Sequence, residues 1–357
     1  MKYSLARAAL SLFTLISASS AALTSRATTC NGHSEFCDKS YGNISFVGAH
    51  DSYAVGTNNL ATNQDYDVTQ QLNDGIRMLQ MQAHLSDSVL HLCHTSCILY
   101  DGGTLENYLT KVKSWMDDNP NDVVTILIVN SDDVAPSQFA SVYESVGLSN
   151  ISYSPSSSSI KYTEWPTLGE LIDAGTRLVT FMDYEADYSS VSYIIDEFSN
   201  MWETAYDVTD TTFDCNVNRT SGDSTTQLYT INHFLDKYET VLTLTLTPDK
   251  DALNQTNAAS GTGSLGLQAS ECGGTYGRYP NFMLVDFYEY GGGSVFEVAA
   301  TLNGVTYSPT SAIATPISDT GSSSSSSAGQ LVPVPRGLLA SFFTFLAGGV
   351  IGAWIVL

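Results

Sequence analysis

"FVGAHDSYAVG" (residues 46–56) is the stretch on which the fold turns. Its first four residues carry no polar alternation, as expected of a strand buried on both faces. The run stops at His50-Asp51-Ser52, and a loop punctuated by Gly56 follows. An imidazole beside a carboxylate at a strand end is suited to proton transfer, because histidine titrates near neutral pH. "VLHLCHTSC" (89–97) has the same form and ends at His94. The two histidines are therefore candidates for one site.

Outward from that stretch, eight apolar runs alternate with helical windows. The runs are "ISFVGA" (44–49), "IRMLQMQA" (76–83), "VLHLC" (89–93), "VVTILIVN" (123–130), "RLVTFMD" (177–183), "TAYDV" (204–208), "LYTINHF" (228–234) and "NFMLVDFY" (281–288). Between them lie amphipathic stretches such as "TLENYLTKVKSWMDD" (104–118) and "QFASVYESV" (138–146). "TLGELIDAG" (167–175) opens with a Thr cap, carries Glu three residues on and closes with Gly, the marks of a capped helix. Buried strands separated by helices make a parallel sheet, and eight of them predict a single, distorted TIM-type (β/α)8 barrel over about residues 28–308. In that architecture the chemistry lies at the C-terminal strand ends. His50, His94, Asp183, His233 and Asp286 all fall at or near such ends.

The two ends of the chain give an address. Lys2 and Arg7 precede the apolar "AALSLFTLIS" and the small "ASSAA", which reads as a signal peptide over residues 1–22. At the other end, "GSSSSSSAG" (321–329) is followed by a short spacer and a 20-residue apolar tail that stops at Leu357. A small-residue site, a spacer and a terminal apolar tail are the pattern of a GPI-anchoring signal, with attachment expected around Ser326–Ala328. The expected layout is then a barrel (28–308), a Ser/Thr/Pro stalk without packed structure (309–328) and a removed signal (329–357). The mature protein would sit as a monomer on the outer leaflet.

Loss of Lys2, Arg7 and Arg336 leaves 11 basic residues against 37 acidic, a net charge of −26. Such a surface excludes nucleic acid as a partner and leaves no broad basic groove for phosphate. Any phosphate site has to be local. The chain has six cysteines, and an even count in a secreted chain implies disulfides. Proximity pairs Cys30 with Cys37 and Cys93 with Cys97, leaving Cys215 for Cys272. Sequons at Asn43, Asn150, Asn218 and Asn254 offer glycosylation sites.

"ISFVGAHDSYAVG", "LNDGIRMLQMQAH", "LHLCHTSC" and "NFMLVDFY" resemble, in order, a phosphatidylinositol-specific phospholipase C X-type domain, and more closely the secreted fungal PLC-like phosphodiesterases. The resemblance covers nearly all of residues 40–305. It implies a distorted barrel in which His50 is the general base toward the inositol 2-hydroxyl and His94 the acid toward the departing diacylglycerol oxygen. It also implies that Asp51 follows the first His as in bacterial members and that Asp286 supports His50. The implied partner is a phosphoinositide- or GPI-like phosphodiester, cleaved without a cofactor.

The departures from the family are specific. Bacterial members carry an Asp and an Arg in the second strand, and calcium-dependent members carry acidic ligands there. Here Gln80 and Gln82 hold those places, and Val129 falls where a further acidic ligand belongs. No metal site is expected, because a hard cation needs several oxygen ligands, usually carboxylates among them. Gln80 and Gln82 remain candidate neutral donors to a phosphate, together with Arg77, His233 and Tyr53 as further substrate-binding candidates. His84 and His91 read as structural, and Asp132 and Asp133 as a solvated loop. Two other functions stay open at this point. One is a catalytically silent barrel that binds at the cell surface. The other is glycoside hydrolysis by Asp183 and Asp286.

Overall fold

The computed structural model describes residues 26–57, 59–240 and 244–317. The signal peptide, most of the stalk and the apolar tail lie outside the described residues. No helix among the described residues is long and apolar enough to cross a membrane.

Twelve strands are present among these residues: β1 (Phe46–Ala49), β2 (Met78–Ser86), β3 (Val89–Cys93), β4 (Asp101–Thr104), β5 (Val124–Asn130), β6 (Leu178–Met182), β7 (Ile194–Asp196), β8 (Met201–Glu203), β9 (Leu228–Asn232), β10 (Asp236–Thr240), β11 (Leu244–Pro248) and β12 (Phe282–Val285). Eight are parallel and curl into the barrel in the order β7-β6-β5-β2-β1-β12-β9-β8. β7 and β8 do not pair, so the barrel keeps a seam there. The helices are α1 (Val68–Asp74), α2 (Leu105–Asp118), α3 (Pro136–Ser145), α4 (Leu168–Asp173), α5 (Glu197–Asn200), α6 (Leu253–Thr256), α7 (Leu265–Tyr276) and α8 (Ser294–Asn303). Thr167 and Glu170 form the expected reciprocal cap on α4.

Period-two alternation separates two cores. Phe46, Met78, Leu127, Phe181, Leu228 and Phe282 point into the barrel, while Val47, Leu79, Ile126, Ile231 and Met283 face the helices. The interior is tight at Gly48, where an added Cβ would stand 2.7 Å from Leu284 and 3.1 Å from Met78. Overpacking of this kind costs about 1–3 kcal/mol. Gly48 thus lets β1 run close to both neighbours and deliver His50 at the rim.

Two strand assignments are corrected by the structure. "VLHLC" is not a barrel strand. β2 runs past the rim, turns at Asp87 and Ser88 (φ +49° and +66°) and returns as β3, which pairs antiparallel with it. The missing barrel member is the three-residue β7, and the run read at 204–208 is β8 at Met201–Glu203. All three disulfides form as paired above: Cys30–Cys37, Cys93–Cys97 and Cys215–Cys272. The four sequon asparagines are all exposed.

The first part of the stalk also departs from expectation, since it lies on the barrel. The Ala314 N–H donates to Asp74 Oδ2 at 3.2 Å, Tyr66 OH to the Thr315 carbonyl at 2.6 Å, and the Ile317 N–H to Asp65 Oδ2 at 2.9 Å. Asp74 ends α1 at the closed end of the barrel, and Asp65 stands in the loop after β1 at the open end. The segment therefore climbs along α1.

Candidate active site

β1 and β12 are neighbours in register, Ala49 opposite Val285, so the residues that follow them meet at the rim. His50 Nδ1 lies 2.8 Å from Asp286 Oδ1. Asn63, from the loop after β1, donates to both Asp286 oxygens at 3.1 and 3.2 Å and so fixes the carboxylate. The Phe234 ring stacks on the imidazole, 3.7 Å between centroids and 2° from parallel. His50 is thus held on an edge and on a face.

His94 comes from the opposite direction, on the loop that closes the β3–β4 hairpin. The Cys93–Cys97 bridge spans it, and His94 Nδ1 bonds the Ala61 carbonyl at 2.9 Å. That contact leaves Nε2 facing the mouth. Asp51 stands between the two rings: its Oδ2 is 3.8 Å from His50 Nε2 and 3.5 Å from His94 Nε2. Asp51 is fully buried and adopts φ +39°, a conformation that a non-glycine residue keeps only when its surroundings impose it.

Gln80 and Gln82 supply that surrounding. Gln80 Oε1 accepts the Asp51 N–H at 2.6 Å. Gln82 Nε2 donates to Asp51 Oδ2 at 3.1 Å, and its Oε1 accepts the Thr95 N–H at 3.0 Å. One amide therefore joins the His-Asp turn to the loop of His94. Both amide oxygens are occupied by N–H donors and Val129 is apolar, so these positions do not fit a calcium ion.

Burial would push the His50 imidazole down. The carboxylates of Asp286 and Asp51 more than offset it and raise the group to about 9. Two further carboxyls line the mouth. Asp236 is raised to about 7 by burial and by Asp286 nearby. Asp207 is raised by burial, against the pull of His50, His94 and Arg219. Across the mouth, Arg219 forms an ion pair with buried Glu203, and its guanidinium lies 4.6 Å from the Tyr206 ring.

Three candidates stand elsewhere. Arg77 precedes β2 at the closed end, where it pairs with Asp122 at 2.8 Å and bonds the Leu72 and Ile76 carbonyls. His233 points outward, its ring nitrogens 2.6 Å from Gln268 Oε1 and 2.9 Å from the Thr256 carbonyl. Tyr53 is only 4% exposed and packs beneath the mouth, so it presents no face to a ligand. The alternation in "LYTINHF" carried the signal for His233: Tyr229 and Ile231 face the helices, so His233 does too, and Phe234 faces in. Asn63 and Arg219 come from irregular loops and left no pattern in the sequence. His84 pairs with Asp132 at 3.2 Å and His91 with Asp101 at 3.0 Å on the hairpin. Cys93 lies near the latter pair, but its sulfur is held in the disulfide.

Two imidazoles on opposite sides of one buried carboxylate, with a second carboxylate behind the first ring, can pass a proton in at one side and out at the other. The sequence matches PI-PLC X over residues 36–303. The chain belongs to the PI-PLC X family. A PI-PLC X domain-containing protein 1 of Arthroderma benhamiae is 42% identical over 290 residues, covering 80% of this chain and 93% of that protein. An uncharacterized secreted protein of the same organism is 49% identical over 285 residues, 78% of this chain. The matched region spans 64% of that relative's length. Among solved structures, a phosphatidylinositol-specific phospholipase C from Staphylococcus aureus superposes with a TM-score of 0.51 at 15% identity, over 76% of this chain and 95% of that one. The PI-PLC X barrel is therefore the fold.

Proposed function

We propose that this PI-PLC X chain is a phosphoric diester hydrolase that cleaves a phosphoinositide- or GPI-like phosphodiester at the cell surface. The observation that carries this reading is the shared position of Asp51 Oδ2 between His50 and His94. Neutral His50 takes the proton from an inositol 2-hydroxyl through Nε2, while Asp286 holds Nδ1. The oxygen so freed attacks phosphorus, and the bond from phosphorus to the glycerol oxygen breaks. Protonated His94, steadied by Asp51, gives its proton to that leaving oxygen. The products are a cyclic inositol phosphate and diacylglycerol, and water can open the ring with the two roles reversed. No step uses a metal.

Gln82 is bonded at both ends of its amide and Gln80 through its Oε1, and a neutral amide replaces the charged donor expected in the second strand poorly. Loss of one transition-state donor costs about 2.7–4 kcal/mol, or roughly a hundred- to thousandfold in rate. Slow turnover is the expected outcome. The same observation favours the second reading, a silent barrel that binds at the surface. Glycoside hydrolysis has less support: Asp286 is taken up by His50 and Asn63, and Asp183 is buried with its Oδ1 bonded by the Asn130 and Tyr184 N–H groups. The wider setting we propose is a monomeric glycoprotein on the outer leaflet, held by a GPI anchor.

The test is release of inositol phosphates from phosphatidylinositol, with and without chelator, beside His50→Ala and His94→Ala. Turnover that survives chelator and disappears in both variants supports the proposal. Turnover equal to that of the variants would favour the silent barrel.

A further inference from the structure

In the hairpin that β2 and β3 form beyond the barrel rim, His84 stands directly opposite His91. Ala83, Leu90 and Leu92 of the same hairpin are packed in the core, so the two histidines share its outer face. Residues paired in this way have Cβ atoms about 4.5–5.5 Å apart. The sheet continues to β5 on one side and to β4 on the other, and each side brings a carboxylate. His84 Nδ1 lies 3.2 Å from Asp132 Oδ1, just past β5. His91 Nδ1 lies 3.0 Å from both oxygens of Asp101, at the start of β4. The four residues form a row in the order Asp132, His84, His91, Asp101, with the carboxylates outermost. Backbone N–H groups fix both carboxylates: Leu85 donates to Asp132 Oδ2 at 2.7 Å and Gly103 to Asp101 Oδ1 at 2.8 Å.

A carboxylate at Nδ1 keeps the ring proton there and leaves the lone pair on Nε2. His84 Nε2 is buried and has no hydrogen-bond partner among the described residues, which is costly for a polar atom unless something binds it. The His91 side chain is 23% exposed, which leaves a path from solvent. We propose that His84 and His91 bind one divalent transition-metal ion of the zinc class through their Nε2 atoms, with Asp132 and Asp101 behind the rings and water completing the shell. Imidazole nitrogens suit such ions, whereas calcium and magnesium take oxygen ligands. Charge agrees with this choice. Two carboxylates balance a divalent ion, and neither 78–104 nor 119–133 contains a lysine or arginine that would compete for them. Isolated His-Asp pairs would account for each Nδ1 contact, but not for the buried Nε2 beside a second imidazole. The site lies on the outside of the hairpin, away from the second-strand positions at the mouth, and does not depend on the phosphodiesterase reading. Gln82 stands two residues before His84, and Cys93 two residues after His91. An ion here would therefore tie the strand that braces Asp51 to the strand that leads into the loop of His94.

The full chain, held in a neutral detergent and freed of metal by a chelator that is then removed, is titrated with zinc chloride. We expect one tight equivalent per chain, with affinity at least tenfold weaker in His84→Ala and in His91→Ala. No such loss is expected in His50→Ala, which removes one member of the histidine pair at the mouth. Saturating zinc should raise the thermal midpoint by about 5 °C, and the rise should vanish in both hairpin variants. Equal midpoints in chelator show that the variants fold. In the unaltered protein, zinc should protect His84 and His91 from diethyl pyrocarbonate while His33 still reacts. No binding, no protection, unchanged affinity in the hairpin variants, or loss of the tight equivalent in His50→Ala would overturn the proposal. So would binding that appears only after a dithiol has opened Cys93–Cys97, because the Cys93 thiolate would then be the ligand in place of His84.

Discussion

Gln82 and Asp51 share a hydrogen bond of 3.1 Å, and the other end of the same Gln82 amide holds the Thr95 N–H at 3.0 Å. The residue that breaks the charged pattern of the second strand is also the brace between the two histidine loops. Gln82→Leu keeps the bulk and removes both bonds. A hydrogen bond to a charged group is worth about 1.5–3 kcal/mol, so kcat is expected to fall ~10- to ~100-fold with KM little changed. Gln82→Glu should be worse, because it sets a second carboxylate against Asp51. Steady-state kinetics on both variants decide the point; a loss confined to KM would show that Gln82 holds substrate instead.

The pH profile tests the base. His50 is raised to about 9, so at neutral pH the free protein holds mostly imidazolium. A base works in its neutral form and the acid, His94, in its protonated form, so kcat/KM should be bell-shaped with one limb near 9. Asp286→Asn removes a main cause of the raised value. The limb near 9 should move to lower pH while the maximum falls. A limb that stays in place would break the assignment of His50 as base.

Stability carries the same sign. The fold holds a proton on His50 that the unfolded chain releases above about 6.5. This stabilisation is complete below that pH and is lost as pH rises through about 9. Its full extent is about 3 kcal/mol by the pKa difference. Thermal midpoints measured from pH 6 to 10 should decline, and His50→Gln should flatten the decline. His233 has the opposite sign. Burial lowers it to about 4, so the unfolded chain binds a proton that the fold refuses between about 6.5 and 4, and stability drops as pH falls through that window. His233→Gln should move the acid-unfolding midpoint downward without changing kcat.

The disulfides should separate stability from activity. Cys215–Cys272 closes 57 residues, and Cys93–Cys97 closes four. Chain entropy assigns about 4 kcal/mol to the first and about 2 kcal/mol to the second. Replacing Cys215 and Cys272 by Ser should lower the thermal midpoint more. Replacing Cys93 and Cys97 should lower kcat more, since that bridge spans the loop of His94. Calorimetry and kinetics on the two double variants check the crossing of effects.

The residues that could be read from sequence were those whose position follows from strand period and order. β1 and β12 are continuous apolar runs, and each places a candidate site residue, His50 or Asp286, just past its end. Other features depended on tertiary structure. β3 has the composition of a barrel strand and differs only in direction, which pairing with β2 decides. β7 spans three residues, too few for a period to show. Asn63, Asp207 and Arg219 act through loops whose course is set by contacts distant in sequence. Gln80 and Gln82 were visible as departures, but their partners, the Asp51 and Thr95 backbone among them, appear only once the strands and the hairpin are folded together.

The climb of the C-terminal segment along α1 has a mechanical consequence. Near the N-terminal side, Asn31 is bonded to Asn121 and Val123 at the closed end, while the Ile317 N–H meets Asp65 at the mouth. A pull between Asn31 and Ile317 loads the barrel along its axis. The Ile317, Thr315 and Ala314 contacts are met in sequence, so they should part like a zipper from the mouth downward. The sheet bonds of β1 and β12 lie across the pull and share it in shear. Under tension, this segment should peel away before the site is disturbed.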